Sequence, residues 1–176
     1  MIAPQNMGLV SNYITGGIIL TTALQVLETI RPIKGKGFVI LFGDFLMLGA
    51  VPWIISVMIQ RGTIMDILFP IAIGVLLAIP LVLSTKIVVT SDGIVRFKQN
   101  IFLYLFLISI PVIRRNVGFT EFFNHHPIFI PNTHIPDIEL MIVMYVTVIA
   151  VNIQVWRIAS YLKFKKVKRE LSSTDF

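Results

Sequence analysis

Five apolar runs divide the chain, separated by short polar segments that carry most of the charge. The first extends over about 9–28, diluted by Ser11, Asn12, Thr15, Gly16, Gly17, Thr21, Thr22 and Gln25. The second extends over about 37–59 and the third over about 64–83, joined by the turn Gln60-Arg61-Gly62-Thr63. A fourth covers 101–113, or 101–117 if Arg114 and Arg115 lie at its end, and a fifth covers about 140–158. Crossing a hydrocarbon layer of ~30 Å takes about 20 helical residues, so each run except the fourth is long enough to span. The pattern predicts an all-α integral membrane protein with five transmembrane helices in a single membrane domain over 1–176. Pro70 and Pro80 fall inside the third run, where each removes a backbone donor and favours a kink that neighbouring helices can accommodate.

Between the third and fourth runs the period changes. Residues 86–98 place two β-branched stretches around Asp92-Gly93, the pair favoured in a two-residue type I′ hairpin turn. That turn sets Thr90 opposite Val95 and Val88 opposite Phe97 on one apolar face, with Arg96 and Lys98 on the other. An isolated two-stranded hairpin is marginal in water, so its apolar face should rest on the protein or the membrane surface.

Charge orients the array. If all five runs cross, Arg31, Lys34, Lys36, Lys86, Arg96, Lys98, Arg157, Lys163, Lys165, Lys166, Lys168 and Arg169 share one side, leaving Arg61, Arg114 and Arg115 on the other. If the fourth run stays on one side, as a re-entrant or surface segment, the division becomes eight against seven. Cytoplasmic segments are enriched in Lys and Arg, so the twelve-to-three arrangement is preferred. It puts the N-terminus outside, the C-terminus and hairpin inside, the segment 118–139 outside and the basic tail 159–176 in the cytoplasm. Snorkelling arginines would complete the short fourth span. Trp156 and Tyr161 fall near the inner boundary, where aromatic rings are favoured. No Lys or Arg precedes the first run, so the positive n-region of a secretory signal is missing.

Composition agrees with a lipid environment: 56% hydrophobic, 14% charged, mean hydropathy +0.86, against about 25% charged in soluble domains. The net charge of +6 does not indicate nucleic acid, because the cations flank the apolar runs, where they meet anionic lipid headgroups. With no cysteine, the chain has no disulfide, thiol relay, haem-attachment motif or thiolate metal site.

Candidate chemistry is sparse. Asp44 lies roughly 10 Å along the second helix from its inner end; an intramembrane carboxylate suggests a proton or ion site, and the simpler alternative is a protonated or hydrogen-bonded group near Asn12 or Gln25. Arg114 and Arg115 could grip an outer-face phosphate or carboxylate; the simpler reading has them end the span on lipid phosphates, with Glu121, Asp137 or Glu139 as partners. His125, His126 and His134, with Glu121 and Asp137, supply donors of metal-ligand type, but adjacent loop histidines do not present ligands as a helical pair would, and no metal is expected. Asn152, Gln154, Ser56 and Ser109 are expected to bond between helices. No phosphate loop, HExxH or GxSxG pattern occurs, so no enzyme activity and no cofactor are expected.

Two stretches resemble the bacterial CcdC family. One is the run 67–80 (ILFPIAIGVLLAIP) followed by 84–89 (STKIVV) and the hairpin segment 92–98 (DGIVRFK); the other is 155–171 (VWRIASYLKFKKVKREL). The family's proline before the tryptophan is replaced here by Val155. The resemblance implies a small multi-pass protein of the bacterial cytoplasmic membrane, associated with cytochrome c biogenesis beside a thiol-redox membrane transporter that serves haem attachment. It carries over no catalytic residue. The expected function is an accessory or scaffold protein without thiol chemistry of its own; the alternative is a small ion-coupled transporter or carrier, working as an oligomer through Asp44.

Overall fold

The structure, a computed structural model, describes residues 7–33, 37–42, 45–116, 128–130, 132 and 134–174. Among these residues six helices and one hairpin follow in order: α1 (Met7–Ile30), α2 (Phe38–Phe42), α3 (Phe45–Arg61), α4 (Ile64–Ser84), β1 (Ile87–Val89), β2 (Val95–Phe97), α5 (Ile101–Asn116) and α6 (Ile138–Thr174). Among the described residues three stretches are long and apolar enough to cross a membrane: Asn12–Ile30, Ile64–Ser84 and Ile138–Ser172. The run expected as one helix over 37–59 is described in two pieces, α2 and α3, and residues 43 and 44 between them lie outside the described residues. At 17 and 16 residues, α3 and α5 reach only about 25 Å each.

The helices are arranged for lipid rather than water. On α4, Pro70, Gly74, Ala78 and Leu81 are buried, while Leu68, Phe69, Leu76, Leu77, Ile79 and Leu83 are exposed. A stripe of small residues lets two helix backbones approach, and lipid then solvates the bulky face. The buried stripe packs along α6, the most extensive helix pair of the molecule. At Gly74 the approach is close enough that a Cβ would stand 2.7 Å from the Val148 carbonyl oxygen. On α1 the inward face is polar, with Thr21, Thr22, Gln25 and Thr29 buried while Ile19, Leu20, Leu27 and Ile30 are exposed. The Thr21 and Thr29 hydroxyls donate to the carbonyls of Ile18 and Val26 within α1, which satisfies them without water.

Local chemistry sets the turns where α3 ends and where α4 and α6 begin. Thr63 and Asp66 form a reciprocal capping box that starts α4. Asp137 starts α6 by accepting from the Leu140 N–H at 3.0 Å. Arg61, in the last turn of α3, reaches Glu139 at 2.8 Å and Asp137 at 3.5 Å, so the end of α3 is tied to the start of α6. Below it, Ile54, Val57 and Met58 pack with Leu140 and Val143. α4 runs unbroken through Pro70 and Pro80.

The hairpin forms where expected, but in another register. Ile87 pairs with Phe97, Val88 with Arg96 and Val89 with Val95. The expected turn requires positive φ at both central residues. Gly93 is at φ 72 and Asp92 is not in the positive region. The Gly93 N–H instead donates to Thr90 O and the Thr90 N–H to Ile94 O, which makes a three-residue loop of type I turn plus glycine bulge. One extra loop residue shifts the pairing by one and exchanges the faces of the first strand. Ile87 and Val89 therefore join Val95 and Phe97 on the inner face, and Val88 and Thr90 turn outward with Arg96 and Lys98.

α6 is 37 residues long, or about 55 Å, and continues well past the apolar part that ends near Ile158. The main core sits around this transition: Ile40, Leu81, Phe97, Leu103, Leu107, Trp156 and Phe164 meet there, drawn from α2, α4, β2, α5 and α6.

Candidate functional site

Several buried polar groups of the described residues converge where α1, α2, α4 and the hairpin meet α6. At the centre is Arg157, completely buried. Its Nη1 donates to Glu28 Oε1 at 3.2 Å and to the Ile40 carbonyl oxygen at 2.6 Å, and stands 3.0 Å from Glu28 Oε2 in the same ion pair. α1, α2 and α6 are thereby joined through one guanidinium nitrogen. A charge in this position is tolerable only when paired and hydrogen-bonded. The Arg157 guanidinium carbon also lies 5.8 Å from the Trp156 ring centroid, within cation–π range.

Trp156 adds a second junction. Its Nε1–H donates to Thr85 Oγ1 at 2.8 Å, and the Thr85 hydroxyl donates to Leu81 O at 2.7 Å. The ring stacks on Phe97, centroids 6.1 Å apart, so the hairpin rests on α6. The sequence places Trp156 at the lipid boundary; the structure buries it fully, because its donor is used inside the protein. Lys163, one turn beyond Ser160, donates to the Val82 and Thr85 carbonyl oxygens at 2.5 and 2.7 Å. It closes the C-terminal end of α4, where carbonyls lack intrahelical partners. The Ile33 N–H donates to Val95 O at 2.9 Å and ties the α1–α2 connection to the hairpin.

Along α1 and α6 several buried side-chain atoms have no hydrogen-bond partner among the described residues: Arg157 Nε and Nη2, Gln25 Nε2, Asn152 Oδ1, Gln154 Nε2 and Ser160 Oγ. Asn152 and Gln154 were expected to bond between helices, and these atoms of theirs do not. Ser56 and Ser109 bond within their own helices: Ser56 accepts from Gln60 and Ser109 donates to Phe106 O. In apolar surroundings a hydroxyl one turn from a helix carbonyl finds an acceptor at once.

Of the residues singled out in the sequence, Asp44, Glu121, His125 and His126 lie outside the described residues. Arg114 and Arg115 fall in the last turn of α5. Asp137 and Glu139, proposed as their partners, pair with Arg61, since both carboxylates stand at the start of α6 beside the end of α3; the side chains of Arg114 and Arg115 lie outside the described residues. His134 is exposed, and among the described residues no group of three or more His, Asp or Glu could hold a metal ion.

Glu28, Thr85 and the buried role of Arg157 were not found by sequence reasoning, which counted Arg157 among the anchoring cations of the tail. One signal was present: Glu28 is the only carboxylate before Asp44, and Arg157 is embedded between Trp156 and Ile158-Ala159 rather than among other charges. The assembled node holds helices and hairpin in fixed relation. It contains no nucleophile–base pair.

No curated protein and no solved structure matches the chain. A protein-family model described as CcdC protein matches residues 9–170, which takes in the hairpin, every residue of the buried node and all but the outermost residues of the described helices. The chain is a membrane protein of the CcdC protein family.

Proposed function

We propose that this protein is a five-span accessory or scaffold protein of the bacterial cytoplasmic membrane, N-terminus outside and C-terminus inside, that positions a thiol-redox membrane partner in cytochrome c biogenesis. The observation that carries the reading is the buried Arg157, which locks α1 and α2 to α6 where α6 leaves its apolar section. The hairpin, the α1–α2 connection and the extension of α6 are thereby built into one body at the basic end of the bundle. A body of that kind suits docking. Family membership supports the biogenesis link, and the absence of cysteine restricts the protein to organising electron transfer that a partner performs.

The twelve-to-three cation division supports five crossings. α2 and α3 together extend from Phe38 to Arg61, enough for one span, and α5 with its terminal arginines makes a short one. Tagged protein purified from native membrane in mild detergent should carry a thiol-redox membrane protein with it, and a deletion strain should lose covalently bound haem. Normal haem attachment in the deletion strain would reject the role. A small carrier is the second reading, favoured by the unpaired buried polar atoms on α1 and α6; flux of a candidate ion in proteoliposomes that disappears in Asp44→Asn would select it.

A further inference from the structure

Beyond the buried node, a groove of about 800 Å³ opens between the hairpin tip and the last turns of α6. Its apolar wall includes Phe38, Ile94, Tyr161 and Phe164, and its rim carries Lys165, Lys168 and Arg169. None of the described residues that line it is acidic. Glu170 stands 4.0 Å from Lys166, and neither residue lines the groove. Three cations above an apolar wall complement an anion that carries an apolar body. The volume falls in the ~300–1,000 Å³ range of sites for single small molecules.

The groove also continues onto the lipid-facing surface. Phe38 belongs both to the groove and to an exposed apolar edge of α2 formed with Val39 and Phe42. With α6 leaving the hydrocarbon near Ile158, Tyr161 stands about 5 Å and Lys165 about 10 Å beyond it. Helical side chains lean toward the N-terminus of their helix, so these lysines reach back toward the headgroup layer. An acyl chain can follow α2 into the bilayer while its phosphate remains at the rim.

We propose that this groove is a specific site for one anionic phospholipid, with the phosphate held by Lys165, Lys168 and Arg169 and the glycerol and upper acyl carbons against Phe38, Ile94 and Tyr161. This differs from general attraction of a basic tail to a charged surface, because it requires these three cations and the apolar wall together. It stands independently of the accessory role.

The test uses full-length protein in phosphatidylcholine nanodiscs containing a minority of phosphatidylglycerol, with retained lipid counted by native mass spectrometry. The wild type should keep one phosphatidylglycerol. The variant Lys165→Gln/Lys168→Gln/Arg169→Gln should need on the order of tenfold more of it for the same occupancy. The control Arg96→Gln/Lys98→Gln/Lys166→Gln removes equal charge outside the groove and should behave as wild type. Equal losses in the two variants would reduce the effect to surface charge and overturn the site. Retention of phosphatidylcholine at the same level, or displacement of the lipid by soluble glycerol phosphate, would also overturn it.

Discussion

A guanidinium removed from solvent needs acceptors for its protons, and Arg157 finds them for Nη1 on two other elements, in Glu28 and the Ile40 carbonyl. Breaking such a pair from one side leaves an uncompensated charge and costs roughly 3–5 kcal/mol, whereas replacing both partners with neutral groups is far less damaging. Glu28→Gln should therefore lower the unfolding temperature in detergent more than the double variant Glu28→Gln/Arg157→Met does. A double variant less stable than Glu28→Gln would show that Arg157 contributes mainly by packing. Thr85 has a similar role on a smaller scale. Thr85→Val preserves shape but strips Trp156 Nε1 of its acceptor, a loss of about 1–3 kcal/mol. In a Trp53→Phe background the emission of Trp156 should change with it; unchanged emission and stability would mean the bond is dispensable. These pairings were not legible in the sequence, since Glu28 and Arg157 are 129 residues apart and Thr85 and Trp156 are 71 apart. No local periodicity reports a contact across that separation.

Among the elements, α4 and α6 depend on Gly74 for their approach. Gly74→Val should force the helices apart, because its Cβ would meet backbone, the Val148 carbonyl, rather than a flexible side chain. Overpacking of this kind costs about 1–3 kcal/mol, and a lowered thermal midpoint together with faster proteolysis near residues 85–100 would register it. Full wild-type stability would mean that α6 can shift to accommodate the branch. The hairpin offers a sharper test. Ile87→Asp should destabilise the protein and Val88→Asp should be tolerated, as Ile87 faces inward and Val88 outward. The reverse result would restore the two-residue turn that Asp92-Gly93 suggests. Sequence identified this hairpin correctly as an element because alternation of β-branched residues around Asp-Gly is a local signal. It missed the register because that depends on a single φ value: Asp92 keeps an ordinary conformation, and only Gly93 adopts φ 72.

For the whole molecule, the decisive property is which end faces the cytoplasm. The natural chain has no cysteine, so single cysteines report sidedness without background. Asp92→Cys and Ser172→Cys should react with a membrane-impermeant maleimide only after the cytoplasmic face is opened, and Gly62→Cys and His134→Cys should react in intact cells. Labelling of Ser172→Cys from outside would remove the five-span arrangement and, with it, the docking role assigned to the basic end.

Sequence alone determined that the chain belongs in a membrane, where its apolar helices begin to within a few residues, which segment leaves the helical pattern, and how its cations are distributed; it ended the fifth span near 158, whereas α6 runs on to Thr174. Each follows from properties that short windows of residues carry themselves: apolar length, turn chemistry and charge. Tertiary structure alone decided that Arg157 is a buried tie rather than a lipid anchor, that Trp156 faces inward, that Asp137 and Glu139 serve Arg61, and that the hairpin wall and α6 enclose a basic groove. A side chain's partner is set by the packing of remote elements, and a charged or aromatic residue near a membrane boundary reads the same in sequence whether it turns toward the lipid or toward the protein.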